Sequence, residues 1–398
     1  MSPAQSPSPT ESPSPAQAAS VLDPITVRGV RFRNRIVISP MQQYAGTAEG
    51  MPTDWHTRHL SAYAVGGAGL VFTEALGICP EGRLTWGDIG AWEDRQTAPL
   101  ARLAEAIAAH GAVPGAQINH AGRKGSVQRP WDGFNPMSDA DVALRGEHPW
   151  PTVSASAIPA NPGWPTPKEI SRDEIRVSLD QFAAAARRVR EAGFEALNIH
   201  GAHGYLIHSF LSPLSNTRQD EYGGSLENRM RYALQVADAA RSEWPADKPI
   251  FFRLSCVDDA DGGWTLDETV ALSRAFADHG VDVVDCSSGG LGRRTTTAVV
   301  RREPGYQVPY AERVRRDTGL RTMAVGLIRD PRLAESIVAE GRADFVAIGR
   351  EALFNPHWPA QAAVALRGPE AFEEWPPAYG WWLKVRSRTL AVSETAAE

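Results

Sequence analysis

The sequence predicts an α/β fold closed into a (β/α)8 barrel, a TIM barrel, on three observations. Eight short runs rich in β-branched and aromatic residues recur along the chain, amphipathic stretches separate them, and the unusual polar residues sit directly after the runs. The runs are Ile36–Ser39, Leu70–Thr73, Val113–Ile118, Ala196–Ile199, Ile250–Leu254, Val283–Asp285, Thr322–Val325 and Phe345–Ile348. Residues 172–192 typify the segments between them: apolar side chains recur three or four positions apart, and Gly193 supplies the stop. A doubly wound sheet shares this alternation. No GxGxxG follows the first run, however, and eight repeats without a break in composition favour closure.

Composition narrows the function classes. A net charge of −6 with acidic and basic residues interspersed provides no electrostatic footprint for nucleic acid. Cys79, Cys256 and Cys286 form no CxxC pair, which argues against zinc, an iron–sulfur cluster or a disulfide framework and fits a reducing, cytoplasmic setting. No apolar run approaches the roughly 20 residues of a membrane span, and the start of the chain lacks the pattern of a signal peptide.

Three segments flank or interrupt the barrel, which is expected over residues 21–370. Residues 1–20, dominated by Pro, Ser and Ala, read as a disordered tail. Residues 126–168 read as a long loop after the third strand. The aromatic end, residues 371–398, either packs on its own barrel or makes an intersubunit contact, which would imply a homodimer or higher oligomer.

In a barrel enzyme the reactive groups lie at the carboxyl ends of the strands. Here those ends carry Pro40-Met41-Gln42-Gln43-Tyr44, Glu74-Ala75, Asn119 to Lys124, and His200 to Tyr205, while Gln117 and Arg253 lie inside apolar strands. A guanidinium in that position is satisfied either by a core carboxylate or by an electron-rich cofactor edge. Gly326 after the seventh run and Gly349-Arg350 after the eighth offer backbone N–H groups and a cation where barrels hold phosphate. His200 and His203 have the spacing of a weak metal motif but no companion ligands; beside Tyr205 they offer donors for a carbonyl oxygen and a phenol able to transfer a proton.

Taken together, NRIVISPM (Asn34–Met41), AVGGAGLVFTEA (Ala64–Ala75), HAGRK (His120–Lys124), HGAHGYLIHSFLSPLSNTRQDEYGGSLENR (His200–Arg229) and GRADFVAIGRE (Gly341–Glu351) resemble the Old Yellow Enzyme family, in particular its bacterial xenobiotic-reductase-like ene-reductases. The resemblance runs from about Leu22 to Lys384. It implies an FMN held by Ser39, Pro40, Met41 and Gln42, with Ala75, Gln117 and Arg253 around the ring system and Gly326, Gly349 and Arg350 at the phosphate. By the same resemblance His200 and His203 bind the oxygen of an activated alkene (an enone, enal or nitroalkene), Tyr205 donates the proton, Tyr44 closes the pocket, and Lys124 lies near the flavin. Trp382 matches a residue that enters the neighbouring subunit's site. NADPH or NADH would reduce FMN, which would pass hydride to the alkene β-carbon.

One position departs from the pattern: Gln42 stands where relatives of this subclass usually carry cysteine, which leaves flavin potential and reaction direction open. The competing readings are a flavoenzyme of the same fold working oxidatively on a biosynthetic intermediate, and a flavin-binding protein without turnover. A binding module would need none of His200, His203 and Tyr205.

Overall fold

The computed structural model describes residues 18–292 and 302–395. Eight parallel strands close a barrel: β1 (Ile36–Ile38), β2 (Leu70–Gly77), β3 (Val113–Asn119), β4 (Ala196–Gly201), β5 (Ile250–Ser255), β6 (Val283–Ser287), β7 (Arg321–Ala324) and β8 (Phe345–Ile348). They pair in chain order, and β8 pairs back onto β1 through Val346–Ile36, Ala347–Val37 and Ile348–Ile38. A helix follows each strand, so the predicted (β/α)8 barrel is the fold observed.

Because strand side chains alternate, residues two apart share the barrel interior. Val37, Leu70, Phe72, Val113, Ala196, Phe251, Val283, Met323 and Phe345 form one apolar cluster, with a contribution from every strand. A hairpin preceding the barrel, Ile25–Val27 with Val30–Phe32, adds Val27, Val30 and Phe32 to this cluster and caps the amino-terminal end. The Phe32 ring stands edge-on to Phe345 (5.3 Å) and Phe251 (6.5 Å). Two residues further along their strands come Asn198, Arg253 and Asp285, and four beyond Val113 comes Gln117, all buried. The interior therefore changes from apolar to polar in one step toward the carboxyl mouth.

β2 runs four residues beyond its expected end at Thr73. A register shift between Phe72 and Ala75 marks a bulge, after which the strand pairs again with Gln117, Ile118 and Asn119. Glu74, which interrupts the apolar pattern in sequence, is tolerated inside the strand because it accepts from the N–H groups of Gln43 and Ile89 and lies 3.4 Å from His56 Nε2.

The long segment 126–168 carries its own elements, a helix Asp139–Arg145 and a short parallel pair Val153–Ser154 with Lys168–Glu169. Of the expected disordered tail, residues 1–17 lie outside the described residues; Ser20 donates its hydroxyl to Glu335 (2.9 Å). At the other end Trp375 is buried, stacks on His357 and donates to Ala360 O (3.2 Å), so the aromatic tail begins packed on its own barrel. Among the described residues no helix is long and apolar enough to cross a membrane.

Phe32→Ala opens a cavity in the layer that fills the barrel base, and it is expected to cost about 3–5 kcal/mol of stability. Chemical denaturation followed by circular dichroism measures this as a lowered midpoint.

Candidate active site

The polar step inside the barrel is a connected chain. Gln117 Nε2 donates to Asn198 Oδ1 (3.3 Å), Asn198 Nδ2 donates to Asp285 Oδ2 (3.2 Å), and Arg253 Nε lies 3.6 Å from that same oxygen. The other side of the guanidinium donates to Ser39 Oγ (3.0 Å). Arg253 thus has the core carboxylate of the first reading, but only as a near contact: its buried Nε and Asp285 Oδ1 have no hydrogen-bond partner among the described residues. Burial pushes the Asp285 carboxyl above its usual range despite the nearby Arg253 and Asn198. A cation left incompletely satisfied at the edge of a cavity can bind an electron-rich ligand.

That cavity, about 450 Å³, opens at the carboxyl mouth between β1, β5, β7 and β8. It brings together Ser39, Pro40, Met41, Arg253, Gly326, Gly349 and Arg350, seven of the residues expected around a cofactor. The two arginines supply charge for a phosphate, and the glycines supply room. Gly326 has φ +128, and a Cβ there would meet the Tyr306 ring and Gln307 N at 3.2 Å. At Gly349 no atom lies within 4 Å of where a Cβ would stand. The unpaired Arg253 Nε, the open Gly349 and the two cations fit FMN, whose phosphate Arg350 would hold. Ser287 and Gln307 also line the cavity. Ser287 was legible as the next inward residue after Asp285 on β6, whereas nothing in the local sequence marks Gln307.

Gln42, Ala75 and Gln117, also expected around the cofactor, do not line this cavity, and Gln42 and Ala75 meet each other instead. At the β2 bulge Ala75 N–H leaves the strand ladder and donates to Gln42 Oε1 (2.8 Å), while the Gln42 side chain also hydrogen-bonds Asp88. Asp88 is fully buried and accepts from Leu84 N, Thr85 N and Thr85 Oγ1; burial, with Glu74 beside it, still pushes its carboxyl up to about 7. The residue that departs from the family is therefore bound to its own barrel on both ends of its amide.

β4 ends in His200-Gly201, and the turn beyond it presents His203 and Tyr205. Burial, with Arg253 beside them, holds both imidazoles well below their usual range, so both rings are neutral. Their partners then set the tautomers. His200 Nδ1 accepts from Ala202 N (3.2 Å), leaving Nε2–H to donate to His203 Nδ1 (3.3 Å); His203 Nε2–H donates to Ser287 Oγ (2.8 Å). The Tyr205 ring stands 4.8 Å from that of His200, and burial, with Asp88 nearby, raises its phenol above the usual range. Lys124 Nζ donates to the carbonyls of His203 (2.7 Å) and Gly290, and burial with Arg123 alongside brings it down to about 7.

The sequence reading missed what holds this turn. His203 and Gly204 both have positive φ (60° and 77°). His208 Nδ1 accepts the Gly204 N–H (2.8 Å), and its Nε2 donates to Asp258 Oδ1 (2.7 Å), with both side chains fully buried. Burial raises the Asp258 carboxyl, but His208, Ser212 and Trp264 N–H outweigh it and hold the group below its usual range. Trp382 is not brought to this site within one chain: it lies exposed on the helix Pro377–Thr395, its ring edge-on to Trp381. Among the described residues no group of three or more His, Cys, Asp or Glu is placed to hold a metal.

So placed, the cavity defines a class, a barrel whose carboxyl mouth would hold a phosphorylated cofactor. Comparison with known proteins sharpens it. The profile of the NADH:flavin oxidoreductase / NADH oxidase family matches residues 20–367. An NADPH dehydrogenase of Geobacillus thermodenitrificans is 42% identical over 91% of this chain and 98% of its own. One from Bacillus subtilis is 39% identical over 88% of this chain and 96% of its own. The fold also matches a solved structure of morphinone reductase in complex with tetrahydroNAD, at a TM-score of 0.69 and 24% identity over 87% of this chain and 91% of that one. The chain belongs to the NADH:flavin oxidoreductase family, the Old Yellow Enzymes, and is an FMN-dependent NAD(P)H oxidoreductase.

Two outcomes follow from this geometry. His208→Ala removes one of the donors that hold the buried Asp258 carboxylate, leaving Ser212 and the Trp264 N–H, and is expected to cost about 1–3 kcal/mol, read from denaturation midpoints. The ring nitrogens of His200 and His203 should keep neutral-imidazole 15N shifts as the pH falls from about 8 to about 6, through the range where an ordinary histidine of pKa about 6.5 takes up its proton.

Proposed function

We propose that the enzyme is an ene-reductase, using NAD(P)H to saturate a carbon–carbon double bond conjugated to a carbonyl or nitro group. The observation that carries this reading is the grouping of two neutral imidazole donors with a protonated phenol beside the cofactor cavity. FMN, when bound, supplies two-electron hydride transfer. Ser39, Pro40, Met41, Gln42, Ala75, Gln117, Arg253, Gly326, Gly349 and Arg350 are the residues that would hold it.

The chain's own groups do the remaining work. His203 Nε2–H, which rests on Ser287 Oγ, and His200 Nε2–H, which rests on His203, exchange these acceptors for the substrate oxygen. Neutral donors suit that task, because they withdraw density from the alkene without surrendering a proton to the oxygen. Tyr205 keeps its proton at neutral pH because its phenol is raised, and it delivers that proton to the α-carbon as negative charge develops there. Arg253 places positive charge at the cavity edge, and Lys124 ties down the His203 carbonyl. Three free, buried cysteines support a reducing, cytoplasmic setting. The exposed Trp381 and Trp382 support a homodimer or higher oligomer in which the tail meets a second subunit.

Anaerobic NADPH should bleach the yellow holoenzyme and 2-cyclohexenone should restore its colour. Recovery of colour with oxygen alone would reject the alkene reading. Tyr205→Phe should slow the alkene half-reaction by about 10²–10⁴-fold and the NADPH half-reaction by less than about twofold, as read by stopped-flow absorbance.

A further inference from the structure

The segment after β3 builds a finger that packs beside Tyr44 and Tyr205. Val127 bridges Pro136 in antiparallel fashion, Gln128 N–H donates to Asn135 O (2.9 Å), and Met137 N–H donates to Ser126 O (2.9 Å), which leaves residues 129–134 as the tip. The tip is tethered to the loop after β1. Arg129 Nε donates to Tyr44 O (3.4 Å), and its guanidinium is held by Glu147. Gly87 leaves space for this tether, since a Cβ there would stand 2.3 Å from Tyr44 O and 2.9 Å from Arg129 Nε.

Aromatic rings converge at this point. Tyr44, Phe134, Trp164 and Tyr205 pack on one small apolar cluster of Leu84, Ala121 and Val127. Trp131 stands edge-on to Tyr44, with centroids 5.8 Å apart and planes at 82°, yet it is 67% exposed. Tyr44 and Phe134 both hold φ +56, a left-handed backbone that bulky side chains seldom adopt. Strain of that kind persists only where the surroundings impose it, and it gathers at ligand clamps. Both strained rings pack on the same cluster as Tyr205, the proposed proton donor.

We propose that Trp131 and Phe134, with Tyr44, form an aromatic clamp that selects flat, multi-ring conjugated ketones over small enones. The proposal rests on the ene-reductase reading of the same site. A planar substrate whose alkene lies by Tyr205 carries its remaining rings outward to the finger tip, where the uncovered Trp131 ring meets a π face or edge. A single six-membered enone is too short to reach Trp131 and gains nothing from it.

Binding to the oxidised holoenzyme without reductant separates recognition from turnover. Calorimetric titrations would compare a planar tricyclic enone with 2-cyclohexenone on the parent, on Trp131→Ala, and on Phe134→Asn, which removes the ring but tolerates left-handed backbone. The expected result is a loss of about tenfold or more in affinity for the tricyclic ligand in each variant, with cyclohexenone changed by less than about twofold. Equal changes for both ligands, or none, overturn the clamp. So does a change of oligomeric state in Trp131→Ala by light scattering, which would make that ring a subunit contact. If the parent reduces both ketones and the variants keep its ratio of kcat/KM values, the clamp alone fails. If the parent oxidises NADPH yet neither binds nor reduces either ketone, the ene-reductase reading fails and the clamp with it.

Discussion

An arginine pointing into the middle of a barrel must find something to neutralise it, and the arrangement around Arg253 follows from that requirement. Its Nε faces Asp285 at 3.6 Å without a hydrogen bond, and its outer edge reaches Ser39. Both carboxylate and guanidinium are drawn out of water, where each alone would be costly, and neither is fully satisfied by the other. Gln117 and Asn198 extend the polar chain sideways, which spreads the demand without ending it. The residual positive charge lines the cavity that FMN fits, and it adds to the burial that keeps His200 and His203 neutral. One buried cation thus bears both on that cavity and on the imidazoles beside it.

The turn that presents His203 and Tyr205 depends on a second buried pair at some distance from the first. His203 and Gly204 adopt a backbone that the chain would not hold unaided, and the His208–Asp258 pair fixes it through the Gly204 N–H. Lys124 closes the other side through the His203 carbonyl. Orientation of the imidazoles and the phenol therefore comes from groups packed behind them, the kind of support that a site needs if its side chains are to be held within fractions of an ångström. Tyr44 and Phe134 are left-handed too, and their rings pack on the same cluster as Tyr205, so strained non-glycine residues gather around that turn.

Gln42 shows how one substitution can be absorbed. On a longer stem than cysteine, its amide reaches the Ala75 N–H freed by the β2 bulge and the carboxylate of Asp88. Its carbonyl thus occupies a donor, the Ala75 N–H. In sequence Gln42 reads only as a departure; its two partners come from β2 and from the segment that follows it.

The barrel was legible because it is written in local chemistry. Eight short runs rich in β-branched and aromatic residues, each followed by an amphipathic stretch, leave few ways to bury their apolar faces. The placement of Ser39, Arg253, Gly326, Gly349 and Arg350 around one cavity was legible too, because strand ends in such a fold converge on one mouth. Contacts between distant segments were not. Asp285 beneath Arg253, Asp258 behind His208, the continuation of β2 through Glu74, and the tether from Arg129 to Tyr44 each join residues that are at least 14 positions apart. A buried charge or a strained turn reads in sequence as an isolated oddity, since its compensating partner is chosen by closure of the barrel rather than by the local chain. Periodicity and turn chemistry determined the architecture and the rim that carries the site; which polar groups satisfy one another, and hence which are neutral, strained or left unpaired, was decided only when the eight strands closed.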